Sequence, residues 1–172
     1  MNSRLVFSNI ARFVILVLLQ ITVLDNIYLG GYLNPFLFVL FIAMLPTNMG
    51  RIPMMLVAFF TGLIVDLTTN MLGIHAFTCT AVAFLRGVWL DHIIIHDNNE
   101  DVETPSLRSV PYQQFGIYLF LLILIYNVIY FTLLIFNFHD IGQILLSALL
   151  GTVVTWVLAI LYQTLLLKKN DH

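Results

Sequence analysis

Charged residues are scarce in this chain. Asp, Glu, Lys and Arg together make up 9% of its 172 residues, whereas a soluble globular domain carries about 25%. Hydrophobic residues make up 60%, and the mean hydropathy is +0.98. This balance argues against a soluble domain and predicts an all-α, polytopic integral membrane protein. The sequence also contains no run of basic residues that would indicate a nucleic-acid partner.

Cysteine and the common catalytic signatures are also scarce or missing. The single cysteine, Cys79, excludes an internal disulfide, and its neighbours indicate a small packing residue. The sequence contains no H-E-x-x-H, G-x-S-x-G, P-loop or C-x-x-C motif. We therefore expect no enzymatic activity, no cofactor and no metal centre.

One histidine-containing stretch comes nearest to a metal site. Residues 91–97, "DHIIIHD", place two histidines four residues apart between carboxylates, so that both would share one face of a helix. One such pair is a weak signal. A solvated helix end explains the same residues, and we favour that interpretation.

Six apolar stretches are candidates for membrane-crossing helices, each of which needs about 20 residues. They cover residues 5–24, 33–46, 52–67, 72–90, 115–136 and 141–167. The first is longer than a signal-peptide core and no A-x-A-like cleavage site follows it, so we interpret it as a retained helix. The second is short, and is either tilted or partly re-entrant. Residues 91–113 form a polar loop.

The basic residues all fall on one side of this layout. They are Arg4, Arg12, Arg51, Arg86, Arg108, Lys168 and Lys169. The first, third and fifth connections contain no basic residue. Because basic residues are retained on the cytoplasmic side, the sequence predicts that both termini and the 91–113 loop are cytoplasmic. We expect the side chains of Arg12 and Arg86 to extend to the lipid headgroups on that side.

One acid lies well inside a predicted span. Asp66 belongs to "GLIVDLTTNMLGIHAF", residues 62–77, and Gly62 lies one turn before it on the same helix face. A carboxylate at that depth needs protein, water or a hydrogen-bonding partner around it, and Thr68, Thr69 and Asn70 are candidate partners. Two interpretations stay open. Asp66 caps and ties the tip of a helical hairpin, or it anchors a ligand or another membrane protein.

Small residues recur at helical spacing in the sixth span. The stripe consists of Ser147, Gly151, Thr155 and Ala159. Small residues allow helix backbones to approach closely in lipid. This stripe, and the faces around Gly62 and Gly87, therefore either pack inside the bundle or receive a helix of another protein.

The segment around Asp66 resembles the MreD family of bacterial rod shape-determining membrane proteins. The shared pattern is a glycine, three residues, an aspartate, a short polar tip, a second glycine and a small residue. Those positions are Gly62, Asp66, Gly73 and Ala76. The opening of the second span at Asn34 and Pro35 also resembles the family, as do the chain length, the hydropathy and the number of predicted spans.

This resemblance implies a fold, a location and partners. The fold would be similar to that of the substrate-binding subunits of energy-coupling-factor vitamin transporters. The protein would lie in the bacterial inner membrane, in the elongasome that directs peptidoglycan synthesis along the lateral wall and so controls cell shape. It would bind the single-span protein MreC by membrane helix packing. Through MreC it would contact MreB, the glycosyltransferase RodA and a penicillin-binding transpeptidase.

A second function fits the same length and number of spans. The alternative is the membrane-embedded substrate-binding subunit of a vitamin transporter. Such subunits usually show small residues spaced A-x-x-x-A in the first span, and residues 5–24 contain no such pair. The short outer connections also offer few groups for a polar ligand. We therefore favour the non-enzymatic scaffold.

Overall fold

The computed structural model describes residues 3–24, 35–90, 103–135 and 141–169, which contain six helices and no strand. The helices are α1 (Ser3–Thr22), α2 (Val39–Ala43), α3 (Arg51–Thr69), α4 (Ile74–Leu90), α5 (Tyr112–Ile135) and α6 (Ile141–Lys169). The all-helical fold predicted from the sequence is confirmed for these residues. One helix lies in each predicted span, although their lengths differ widely.

In the described part of the chain, three helices are long and apolar enough to cross a membrane. They cover Arg51–Thr69, Tyr112–Ile135 and Ile141–Leu166. The apolar part of α1, Asn9–Thr22, and the 17-residue α4 are shorter. A helix of the length of α4 extends about 25 Å, whereas the hydrocarbon core of a bilayer is about 30 Å thick. The chain thus has the character of a membrane protein, and the full six-span layout stays a prediction.

The helix in the second predicted span is short and central. Only five residues form α2, within a segment, 35–46, in which every residue is buried. Proline bounds the segment at both ends, and its first turn is tight, with the Val39 N–H donating to the Phe36 carbonyl at 3.2 Å. Its side chains are apolar on every side, which is typical of a helix without a solvent face. The described part of the 33–46 span is therefore a core element and not a long helix.

A tight turn joins α3 and α4 into an antiparallel hairpin. Asn70 ends α3 in the left-handed conformation with a φ of 55°, which asparagine tolerates better than most residues. The Asp66 carbonyl accepts the N–H groups of Asn70 and Met71, the latter at 3.0 Å. Gly73 follows with a φ of 84°, a conformation that favours glycine. These residues fix the direction in which α4 leaves the turn.

The described end of the 91–113 loop packs against the bundle. The Thr47 N–H, which follows α2, donates to the Glu103 carbonyl at 3.0 Å. Pro105 and Val110 are buried. This part of the loop therefore lies beside the α2–α3 connection.

Candidate functional site

The Asp66 carboxylate caps the beginning of α4. Its Oδ1 accepts the His75 N–H at 3.0 Å, and its Oδ2 accepts the Ala76 N–H at 2.8 Å. The first N–H groups of a helix have no partner within the helix, and the positive end of the helix dipole favours a carboxylate there. Asp66 is only 2% exposed, so the acid meets protein instead of lipid. This geometry agrees with the first interpretation of Asp66, in which the carboxylate caps and ties the tip of a helical hairpin.

The threonines of the tip do not hold the carboxylate. The hydroxyls of Thr68 and Thr69 both donate to the Val65 carbonyl of their own helix, at 2.8 and 2.9 Å. The expectation that they serve Asp66 is therefore wrong. A threonine in the last turn can reach the preceding turn of its own helix, whereas the backbone N–H groups of α4 face the acid directly.

Gly62 lies where the two helices of the hairpin approach most closely. A Cβ on this residue would lie 2.5 Å from the His75 carbonyl oxygen and 2.6 Å from the Ala76 backbone nitrogen. Only a glycine fits against backbone atoms at that distance. Gly62, Asp66 and Ala76 thus meet at one contact, and Gly73 forms the turn that leads to it.

Gln20 and Thr155 hold the beginning of the buried 35–46 segment. The Gln20 side chain donates to the Pro35 carbonyl at 3.0 Å and accepts the Leu37 N–H at 2.9 Å. The Phe36 N–H donates to the Thr155 hydroxyl at 3.1 Å. These side chains satisfy backbone groups that would otherwise be buried without partners. Asn34 lies outside the described residues.

Arg86 holds the other end of that segment, and the expectation that it reaches the lipid headgroups is wrong. It is 1% exposed, and its Nη2 donates to the Leu45 carbonyl. Its Nε donates to the Tyr118 hydroxyl at 2.9 Å, which in turn donates to the Ala43 carbonyl at 2.9 Å. The carbonyls at the end of α2 carry partial negative charge and attract the Arg86 guanidinium. The sequence alone does not show these carbonyls, so it assigns Arg86 to the membrane interface. Arg12 is half-buried and donates to Asn9 Oδ1 at 3.1 Å.

An aromatic cluster surrounds His75, the second residue of α4. The His75 ring stacks on Tyr130 with centroids 4.8 Å apart, and its Nδ1 is hydrogen-bonded to the Tyr126 hydroxyl. The rings of Phe36 and Phe38 meet it edge-on at 5.3 and 5.8 Å. This packing connects the 35–46 segment, α4 and α5 and leaves the histidine buried.

The small-residue stripe of α6 is used inside the chain. Ser147, Gly151, Thr155 and Ala159 are all buried, and Thr155 contacts the 35–46 segment as described above. The Trp156 indole next to the stripe donates to the Gly116 carbonyl of α5 at 2.9 Å. Close approach within the bundle therefore explains both the stripe and Gly62. At Gly87, by contrast, a Cβ would meet no atom of the described residues within 4 Å.

A small cavity lies beside the hairpin tip. Its volume is about 110 Å³, and Pro35, Phe36, Thr69, His75 and Tyr130 contribute to its walls. Sites for small-molecule ligands usually measure about 300–1,000 Å³.

Among the described residues, no group of three or more His, Cys, Asp or Glu side chains could hold a metal ion. The "DHIIIHD" stretch lies outside those residues.

Comparison of the chain with known protein families, with curated proteins and with solved structures gave no match. The site must therefore be interpreted from its own geometry. Asp66, Gln20, Thr155 and Arg86 each bind backbone groups of this chain. Sequence reasoning missed the roles of Gln20 and Arg86, although a polar residue within an apolar stretch was the available signal.

Proposed function

We propose that this chain is a non-enzymatic membrane scaffold of the bacterial elongasome. It binds MreC, and through MreC it acts with MreB, RodA and a penicillin-binding transpeptidase in lateral peptidoglycan synthesis and cell shape. One observation carries the proposal. The buried side chains of Asp66, Gln20 and Arg86 bind this chain's own backbone, while many large apolar side chains are exposed on α1, α3, α4, α5 and α6. A rigid body with apolar faces suits the binding of other membrane helices.

The proposed location is the bacterial inner membrane, with six spans and both termini in the cytoplasm. The distribution of basic residues supports this orientation. A reporter that is active only outside the cytoplasm should be active when it is fused after residue 28 or residue 138. A reporter that is active only inside the cytoplasm should be active when it is fused after residue 172. Cytosolic activity of the fusion at residue 28 or residue 138 would contradict the layout.

The outer face of α4 is the proposed contact for the MreC helix. The α6 stripe and Gly62 pack internally, so they are not available to a partner. No described residue lies within 4 Å of a Cβ placed on Gly87, and Phe84 and Val88 beside it are more than half exposed. A glycine between exposed apolar side chains allows a second helix to approach closely.

Purification of the tagged chain in mild detergent tests this proposal. MreC should be recovered with the wild-type chain, and Gly87→Leu should lower that recovery by about tenfold because close approach is lost. Val153→Leu, on the exposed face of α6, serves as the control and should leave recovery unchanged. Co-purification of a transporter ATPase and a vitamin in place of MreC would favour the alternative function.

A further inference from the structure

A long apolar groove runs between α1 and α3. Its floor is formed by Phe41 and Leu45 of the buried segment, and its walls include Phe13, Val57 and Ile64. The groove has a volume of about 450 Å³ and opens at the protein surface, where Ile10 and Phe60 are exposed. The Thr61 hydroxyl within it already donates to the Val57 carbonyl at 2.8 Å. The groove thus offers a hydrocarbon surface without an unpaired hydroxyl.

The size of the groove matches one lipid acyl chain. A cavity of about 150 Å³ accommodates the six carbons of benzene, so 450 Å³ accommodates roughly eighteen carbons. Along α3, the residues that line the groove run from Val57 to Ile64. Seven residue steps of helix measure about 10 Å, which fits within the half-thickness of a bilayer's hydrocarbon core, about 15 Å.

Basic and polar groups flank one end of the groove. Asn9 lines it and accepts a hydrogen bond from Arg12. A second hollow of about 340 Å³, lined by Asn48 and Gly50, shares Pro46 and Met49 with the groove. Arg51 begins α3 directly after this hollow and is exposed. Because α3 begins on the predicted cytoplasmic side, Arg51 lies at the cytoplasmic end of the groove and its neighbouring hollow.

We propose that the groove between α1 and α3 is a binding site for an anionic phospholipid. One acyl chain lies against Phe41, Val57 and Ile64, and the headgroup phosphate lies near Arg51. The positive charge of Arg51 favours an anionic headgroup over a zwitterionic one. MreC is proposed to bind the outer face of α4, the other helix of the hairpin. This lipid site therefore does not depend on MreC.

Native mass spectrometry of the purified full chain tests the site. The delipidated protein is mixed with equal amounts of phosphatidylglycerol and phosphatidylcholine that carry the same acyl chains. We expect one tightly retained lipid per chain, with phosphatidylglycerol preferred by about fivefold. Val57→Phe should fill the groove and lower retention of both lipids by about tenfold, because several methylene contacts are lost. Arg51→Gln should reduce the headgroup preference and leave phosphatidylcholine retention unchanged.

Matched variants separate this site from general binding of lipid to the surface. Val153→Phe, on the exposed face of α6, should retain lipid as the wild type does. Ile64→Phe repeats the test at the other end of the groove if Val57→Phe does not fold. The proposal is overturned if the wild-type chain retains no lipid, or if Val57→Phe retains as much lipid as Val153→Phe. It is also overturned if a partner helix cross-links to residues 57 and 64. MreC recovery is measured separately, so failure of one proposal leaves the other standing.

Discussion

Replacing Asp66 with alanine should lower the free energy of unfolding by about 2–4 kcal/mol, because two buried N–H groups at the start of α4 lose a charged acceptor. The loss exceeds that of an ordinary N-cap because the carboxylate serves both N–H groups and is itself buried. The hairpin should then loosen at its tip. Thermal unfolding in mild detergent, together with the protein level in membranes, measures the effect.

Two further variants define the cause of that loss. Asp66→Asn keeps the size of the side chain but replaces one acceptor oxygen with a donor, so it should recover only part of the stability. Thr68→Ala, at an exposed residue that bonds only to its own helix, should behave as the wild type. If Asp66→Ala unfolds at the wild-type temperature, the capping account of this carboxylate is wrong.

Gly62→Ala should destabilise the chain by about 3 kcal/mol, at the upper end of what overpacking costs. Its added methyl group would overlap backbone atoms of His75 and Ala76, which cannot rotate away as a side chain would. The same change at Gly87 meets no atom of the described residues within 4 Å. Gly87→Ala should therefore stabilise α4 by about 0.5–1 kcal/mol, because alanine favours the helix more than glycine does.

The opposite signs at these two glycines make the pair informative. Both residues lie within the helices of one hairpin, and only the neighbouring atoms differ. Unfolding of both variants under the same conditions, followed by the loss of helical circular dichroism, gives the comparison. Equal effects of the two substitutions would mean that α3 and α4 are not packed at the distance described.

Local chemistry made much of the hairpin predictable. Gly62 and Asp66 lie on one helix face, Asn70 and Gly73 have the flexibility that a tight turn needs, and an acid in an apolar helix requires a nearby donor. The sequence could not decide which donor. The threonines were closest along the chain, but the free N–H groups of α4 were better placed once the turn had closed.

The roles of α2 and Arg86 depended on tertiary packing. Spacing and hydropathy describe residues 35–46 as an apolar stretch, but they do not show whether lipid or protein covers it. Arg86 lies near the end of an apolar helix, where snorkelling to the interface is the usual solution. The Leu45 carbonyl that accepts its hydrogen bond lies 41 residues earlier in the chain, so no local pattern links the two residues.

Reconstitution of purified components tests the proposed scaffold function most directly. The chain and full-length MreC are placed together in lipid nanodiscs, and complex formation is measured by energy transfer between labels on the two proteins. We predict a complex that forms with intact MreC, is weakened by Gly87→Leu and is lost when the MreC membrane helix is replaced by polyleucine. The absence of a complex, or equal binding of the polyleucine version, would contradict a scaffold that acts by packing membrane helices.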